Sequence, residues 1–349
     1  MKRIGFLSFG HYGPDRGSQS NAAADALHQA IDLSMAAEEL GIDGAFFRVH
    51  HFARQQAAPF PLLAAIAART SRIEIGTGVI DMRYENPLYM AEQAAATDLI
   101  SDGRLQLGVS RGSPEPAAHG AADFGHHPLD GESQADMARR HTAEFRHAIS
   151  GADVAEAAEH TAVDHGSLQD KRLLRIEPQS PGLSRRIWWG AGSRGTAVWA
   201  ARQGMNLMSS TLLTEDTGIP FDQLQAEQIQ LFRDEWAAAG HDFTPRVSVS
   251  RSVIPIVDDV DNMYFGLRAQ ADSSDQVGVI DGFLSRFGKS YIGDPADIAR
   301  DLAADAAVQA ADTLMLTVPN QLGVAYNTKM LANIAEYIAP AIGWEPAIA

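Results

Sequence analysis

The stretch "IEIGTGVIDMRYENPLYMAEQAAATDLISDGRLQLGVSRG", residues 73–112, contains one whole structural unit and opens the next. Residues 73–80 mix β-branched and small residues as a buried strand does. Asn86 stands where a helix cap is needed, Pro87 suits the first turn, and Gly103 ends the helix. Residues 104–110 are a second apolar run. Strand, helix and strand joined by short connections predict two parallel neighbours with the helix packed outside them.

The same pattern extends in both directions. Upstream, "IGFLSF" (4–9) and "GAFFRV" (44–49) are strands, each followed by an Ala- and Leu-rich helix, the first stopped at Gly41. Downstream, 131–150 is a helix, and "RIWWGAG" (186–192) is a strand followed by the helix "SRGTAVWAARQG". "MNLMSS" (205–210) is a strand, with a helix near 221–240. "RVSVSRSVIPIV" (246–257) is one continuous strand, "GDPADIARDLAADA" a helix, "DTLMLTV" (312–318) the last strand and 322–340 the last helix. Eight strands alternating with helices predict an α/β fold, a (β/α)8 TIM barrel, as a single domain over 1–349. Insertions fall at about 151–186 and 258–292. A doubly wound open sheet produces the same local alternation, so periodicity alone leaves both open.

Composition narrows the function. A net charge of −16 over 349 residues disfavours a nucleic-acid backbone or an anionic membrane surface as partner. The absence of cysteine removes disulfides, thiolate nucleophiles and thiolate-bound metals. The first apolar run is broken too early for a secretory leader, and no run is long enough to span a membrane. The expectation is a cytoplasmic enzyme acting on a small molecule.

In a parallel barrel the loops after the strands form the active rim. His50 and His51 follow strand two, Thr77 and Gly78 lie near the end of strand three, and Ser110 and Arg111 follow strand four. Adjacent side chains of an extended chain point to opposite faces, so one histidine enters the pocket and the other props the loop. After strand five, "GAGSRGT" (190–196) is a glycine turn opening a helix. Its backbone N–H groups, with Gly192, Ser193, Arg194 and Thr196, can cradle a phosphate. It matches neither a Walker loop nor a full GxGxxG. His11, His119, His126 and His127 lack metal-ligand spacing, and no metal is expected.

"FFRVHHF", the whole 67–112 block and "WWGAGSRGTAVWAARQG" together resemble the bacterial luciferase-like flavin-dependent monooxygenases. The likeness is close over 4–112 and looser over 125–150, 176–210 and 293–318. It implies a barrel binding FMN at the rim. Reduced FMN and O2 would form a flavin peroxide that oxidises an aldehyde, ketone or similar small substrate. A separate NAD(P)H:flavin reductase would supply the reduced flavin, and a homodimer is expected. His50 falls at the family's catalytic histidine, where a pKa near neutrality would suit acid–base work. Arg111, Ser193 and Thr196 fall at flavin-phosphate positions. Thr77–Gly78 falls where the family often has a non-prolyl cis peptide, and Ser110 falls where luciferase carries a cysteine. The insert 258–292, with Gly266, Gly278, Gly282 and Gly288, is read as a lid, an ordinary surface excursion being the bland alternative. Val49 replaces a carboxylate found in many relatives, and Asp81 and Arg83 make the strand-three end too polar to imply a long alkyl aldehyde. Two other readings stay open: a deazaflavin-dependent hydride-transfer oxidoreductase, and a non-catalytic flavin-binding protein.

Overall fold

A computed structural model describes residues 2–14, 17–112, 116–158, 173–215, 217–280 and 283–347, together with Arg16. Eight parallel strands close into a barrel: β1 (Arg3–Ser8), β2 (Gly44–Phe47), β3 (Glu74–Asp81), β4 (Leu105–Ser110), β5 (Ile187–Ala191), β6 (Asn206–Ser209), β7 (Val247–Arg251) and β8 (Thr313–Val318). Neighbours in space are neighbours in the chain, and β8 closes on β1 with Arg3 opposite Thr313. That order selects the barrel over the open sheet.

The outer layer contains α1 (Ala23–Glu39), α2 (Pro59–Ala67), α3 (Pro87–Ile100), α4 (Gln134–Ile149), α5 (Arg194–Arg202), α6 (Phe221–Ala239), α7 (Asp259–Ala271), α8 (Pro295–Ala304) and α9 (Gly323–Asn333). The predicted punctuation holds. Asn86 accepts the Tyr89 N–H at 3.0 Å, Pro87 opens α3, and Gly41 and Gly103 take positive φ after α1 and α3. Among the described residues no helix is long and apolar enough to cross a membrane.

Two cores result from the alternation of each strand. Leu7, Phe46, Trp188, Met208 and Met315 fill the barrel, while a much larger set packs between strands and helices. Phe46 takes its room from glycine: a Cβ on Gly76 would stand 2.0 Å from the Gln106 carbonyl oxygen and 3.0 Å from the Phe46 ring. The N-terminal mouth is tied by Glu74, which accepts from Arg3 at 2.5 Å and Arg246 at 2.9 Å.

The expected strand 246–257 is two strands. β7 stops at Arg251, and Val253–Pro255 leaves the barrel to pair with Tyr291–Gly293. Pro255 has no N–H to give to a central ladder, which limits how far the run can stay in the barrel. Residues 151–186 hold a short antiparallel pair, Ala155–Glu156 with Leu173–Leu174, and a 3-10 turn at Leu183–Arg186. Residues 159–172 lie outside the described set. The insert 258–292 contains α7 and a hairpin, Gln276–Ile280 with Phe283–Phe287, which adds to Leu212–Leu213 in a three-stranded sheet. Gly282 is outside the described residues.

Candidate active site

A cavity of about 560 Å3 opens at the C-terminal ends of the strands. The residues singled out by sequence divide there. His50, Gly78, Ser110, Arg111, Gly192, Ser193 and Thr196 all line it, drawn from four different strand ends. Thr77 and Arg194 do not. Thr77 is fully buried, and its hydroxyl donates to the Gly108 carbonyl at 2.7 Å, so it ties β3 to β4. Arg194 begins α5 outside the cavity lining, its guanidinium 3.3 Å from Glu215 and 3.1 Å from Glu227. The cis peptide expected at Thr77–Gly78 is one residue later, at Gly78–Val79, where the β3–β4 register shifts between Thr77 and Ile80.

The two histidines part as the extended backbone requires. β2 ends at Phe47, and the chain beyond is held by the His50 N–H donating to the Gln56 carbonyl at 2.9 Å. His50 then faces the cavity, while His51 is buried under an aromatic cluster of Tyr84, Phe124 and Phe52. Burial, and next the Arg48 guanidinium, push the His50 pKa down to about 4, with Asp81 pulling the other way. Burial and His50 lower His51 to about 4 as well. The near-neutral pKa expected for His50 is therefore corrected: at pH 7 it is a neutral imidazole, able to accept a proton or a hydrogen bond but not to act as a standing cation.

The glycine turn is built from behind. Ser193 caps α5 by accepting the Thr196 N–H at 3.2 Å, and its hydroxyl is hydrogen-bonded to that of Thr196. Gln228 of α6, fully buried, donates to the Ser193 carbonyl at 2.9 Å and accepts from Ser209 at 2.5 Å. Gln225 donates to Ser209 at 2.9 Å. These contacts fix the turn at the α5 N-terminus, beside the cavity. Gly190 keeps the wall between the turn and β3 flat, since a Cβ there would lie 3.1 Å from Val79 and 3.3 Å from Ser110. Ser110 Oγ accepts the Gly112 N–H at 2.7 Å, which shapes the loop that carries Arg111.

Several lining residues escaped the sequence reading. Phe9 and Arg48 form one wall, with the guanidinium 5.0 Å from the ring centre. Arg139 reaches in from α4, and Trp189, Met208 and Glu215 complete the other side. Arg48 stands two residues before His50, which was a usable signal. Arg139 lies on the helix read at 131–150, whose docking over the cavity no local pattern reveals. Glu215 accepts the Arg194 backbone N–H at 3.0 Å, so a carboxylate rests at the mouth of the α5 N-terminus.

A family model described as luciferase-like monooxygenase matches residues 1–263. A trigonelline monooxygenase oxygenase component from Acinetobacter baylyi is 32% identical over 28% of this chain and 28% of its own length. Between 26% and 56% of the first curated relatives' own lengths is spanned by this chain. The oxygenating constituent of 3,6-diketocamphane monooxygenase from Pseudomonas putida, solved with FMN, shares the fold at TM-score 0.70 and 15% identity, over 97% of this chain and 99% of that one. A coenzyme F420-dependent tetrahydromethanopterin reductase from Methanopyrus kandleri shares it at TM-score 0.62 and 14% identity, over 98% and 99%.

Proposed function

We propose, from the premise that this chain belongs to the luciferase-like monooxygenase family, that it is an FMN-dependent monooxygenase acting on a small organic substrate. The observation that carries the reading is one cavity that holds a neutral imidazole, His50, and an anion-binding set, Arg111, Ser193 and Thr196. The donors fit FMN. A guanidinium, two hydroxyls and a helix N-terminus suit a phosphate. Val79 and Met208, with the flat wall at Gly190, offer an apolar bed wide enough for a ring system.

When bound and reduced, FMN supplies the electrons that activate O2, so that one oxygen atom can enter the substrate. Arg111, Ser193 and Thr196 would anchor its phosphate. His50, uncharged at neutral pH, would accept a proton or hydrogen bond at its ring nitrogen beside the reacting face. Leu7, Val79, Met208 and Met315 keep the floor dry. The strand pair Gln276–Ile280 and Phe283–Phe287, joined to Leu212, which lines the cavity, would act as the lid. A separate reductase would deliver the reduced flavin, consistent with the wording "oxygenase component" used for the Acinetobacter relative.

An F420-dependent hydride transfer is the second reading, favoured by the likeness to the reductase fold. The test is to titrate reduced FMN into the protein without air, then admit O2 and follow the return of oxidised flavin. Reoxidation slower than that of free flavin, and faster again in His50→Ala, supports the oxygenase. Failure to bind FMN, with binding of F420, overturns it.

A further inference from the structure

One arginine of the cavity stands apart from the phosphate turn, and strand alternation fixes where it points. Phe46 fills the barrel while Phe47 and Val49 pack outward, so Arg48 and His50 project on the inner face above Phe46. The Arg48 N–H donates to the Ser8 carbonyl at 2.9 Å and so continues the β1–β2 ladder. On β1 the same alternation puts Phe9 above Leu7, packed on the barrel core. The guanidinium of half-buried Arg48 lies 5.0 Å from the Phe9 ring centre, and both residues line the cavity. This bed is fixed from behind. Phe9 stacks with His11 at 5.8 Å and 5°. Buried Asn320 holds the His11 backbone, accepting its N–H at 3.1 Å and donating to its carbonyl at 2.7 Å.

The charge around this bed selects the ligand. The chain carries −16, yet the lining of the cavity is cationic among the described residues. Arg48, Arg111 and Arg139 all line it. Its carboxylates, Asp81 and Glu215, are each ion-paired with an arginine outside the lining, Arg83 at 2.5 Å and Arg194 at 3.3 Å. A cleft of one sign with apolar walls concentrates the opposite charge. The cationic groups also fall at two ends. Ser193 and Thr196 follow β5, whereas Arg48 follows β2, and β3 and β4 stand between them in the barrel. A phosphate seated on the turn leaves the Arg48 end to a second anion, on the side of His50.

We infer that Arg48 binds a carboxylate of the substrate, which makes the substrate class a small organic acid whose apolar part rests on Phe9. This rests on the flavin reading above, which gives the turn to the cofactor phosphate. A guanidinium has five N–H donors in a planar fork, enough to keep a protein partner and to hold a carboxylate as well.

The experiment titrates the full chain, saturated with FMN, by calorimetry with two matched pairs: benzoate against benzamide and hexanoate against hexanamide. The expected result is that each acid binds about tenfold or more tighter than its amide, the size of a charge-assisted hydrogen bond. Arg48→Met should abolish that preference and leave FMN affinity unchanged. Equal binding of acid and amide, no binding of either acid, or a preference that survives Arg48→Met overturns the assignment. A preference seen only without FMN places the acid at the phosphate end and overturns it too. If Arg48→Met does not fold, Arg48→Lys keeps the charge, loses the fork and should cut the preference part-way; an unchanged preference there counts against Arg48. The two readings fail separately. If FMN does not bind, the pairs are titrated with inorganic phosphate saturating, and an Arg48-dependent preference then leaves the anchor standing while the flavin reading falls. If FMN binds and acid and amide do not differ, the flavin reading stands and the anchor falls.

Discussion

His51 lies nearly flat against Tyr84, their ring centroids 4.4 Å apart and their planes 21° from parallel, while the residue before it, His50, lines the cavity. The two imidazoles should therefore fail in different ways. His51→Ala removes a buried ring from an aromatic cluster and should cost about 2–4 kcal/mol in denaturant unfolding, with flavin reoxidation little changed. His50→Gln should change the reoxidation rate while costing under about 1 kcal/mol. Equal stability losses in both variants would contradict the division.

Acid should unfold the protein through the same pair. Both histidines have a folded-state pKa of about 4, below the ordinary 6.5. Between those values the unfolded chain binds the extra protons. The pair's contribution to stability is thus full above about pH 6.5 and declines as the pH falls toward 4. Melting temperature measured from pH 7.5 to 4.5 should drop, and His51→Phe should flatten the drop.

Glu85 works in the opposite sense. Burial, with Asp81 second, raises its carboxyl pKa from 4.5 to about 7. The folded chain holds a proton that the unfolded chain has lost, so this contribution is complete below pH 4.5 and disappears as the pH rises through 7. Glu85→Gln should leave the melting temperature unchanged at pH 4.5 and raise it at pH 8. A rise of equal size at both would exclude titration as the cause.

The carboxylate at the phosphate turn gives a further expectation. Glu215 accepts from the Arg194 N–H at 3.0 Å while lining the cavity. A phosphate arriving nearby meets its charge. Glu215→Gln keeps an acceptor for that N–H and removes the charge, so FMN should bind several-fold tighter while riboflavin does not. Isothermal titration of the two flavins checks this.

A last prediction concerns the frame. Asp305 is buried, bonds Arg251 at 2.8 and 3.1 Å, accepts the Tyr291 hydroxyl at 2.6 Å and takes the Val308 N–H at 2.8 Å. Asp305→Ala leaves a buried guanidinium unpaired and should cost about 3–5 kcal/mol. Urea unfolding that moves by less than 1 kcal/mol would show that the network is dispensable.

The barrel was legible because each strand and helix announces itself locally: Asn86, Pro87 and Gly103 bound α3 through caps that need no tertiary partner. The histidine pair was legible for the same reason, since strand alternation divides neighbours. Thr77 and Arg194 misled because their neighbours are at the site and they are not. Whether a side chain faces the cavity or the β3–β4 seam is decided by one residue of register, and the bulge after Thr77 hides that from the sequence. Arg139 of α4 meets Trp199 of α5 across the 151–186 excursion, and only packing brings them together.

The strand Leu212–Leu213 has its own consequence. It is paired to Phe287 and Arg286, more than seventy residues downstream, yet Leu212 forms part of the cavity wall. The loop after β6 and the insertion after β7 are therefore one mechanical part, and neither can swing without unzipping the other. Exchanging the 258–292 segment with that of a relative would replace one side of the entrance as a cassette, leaving the barrel and the glycine turn intact.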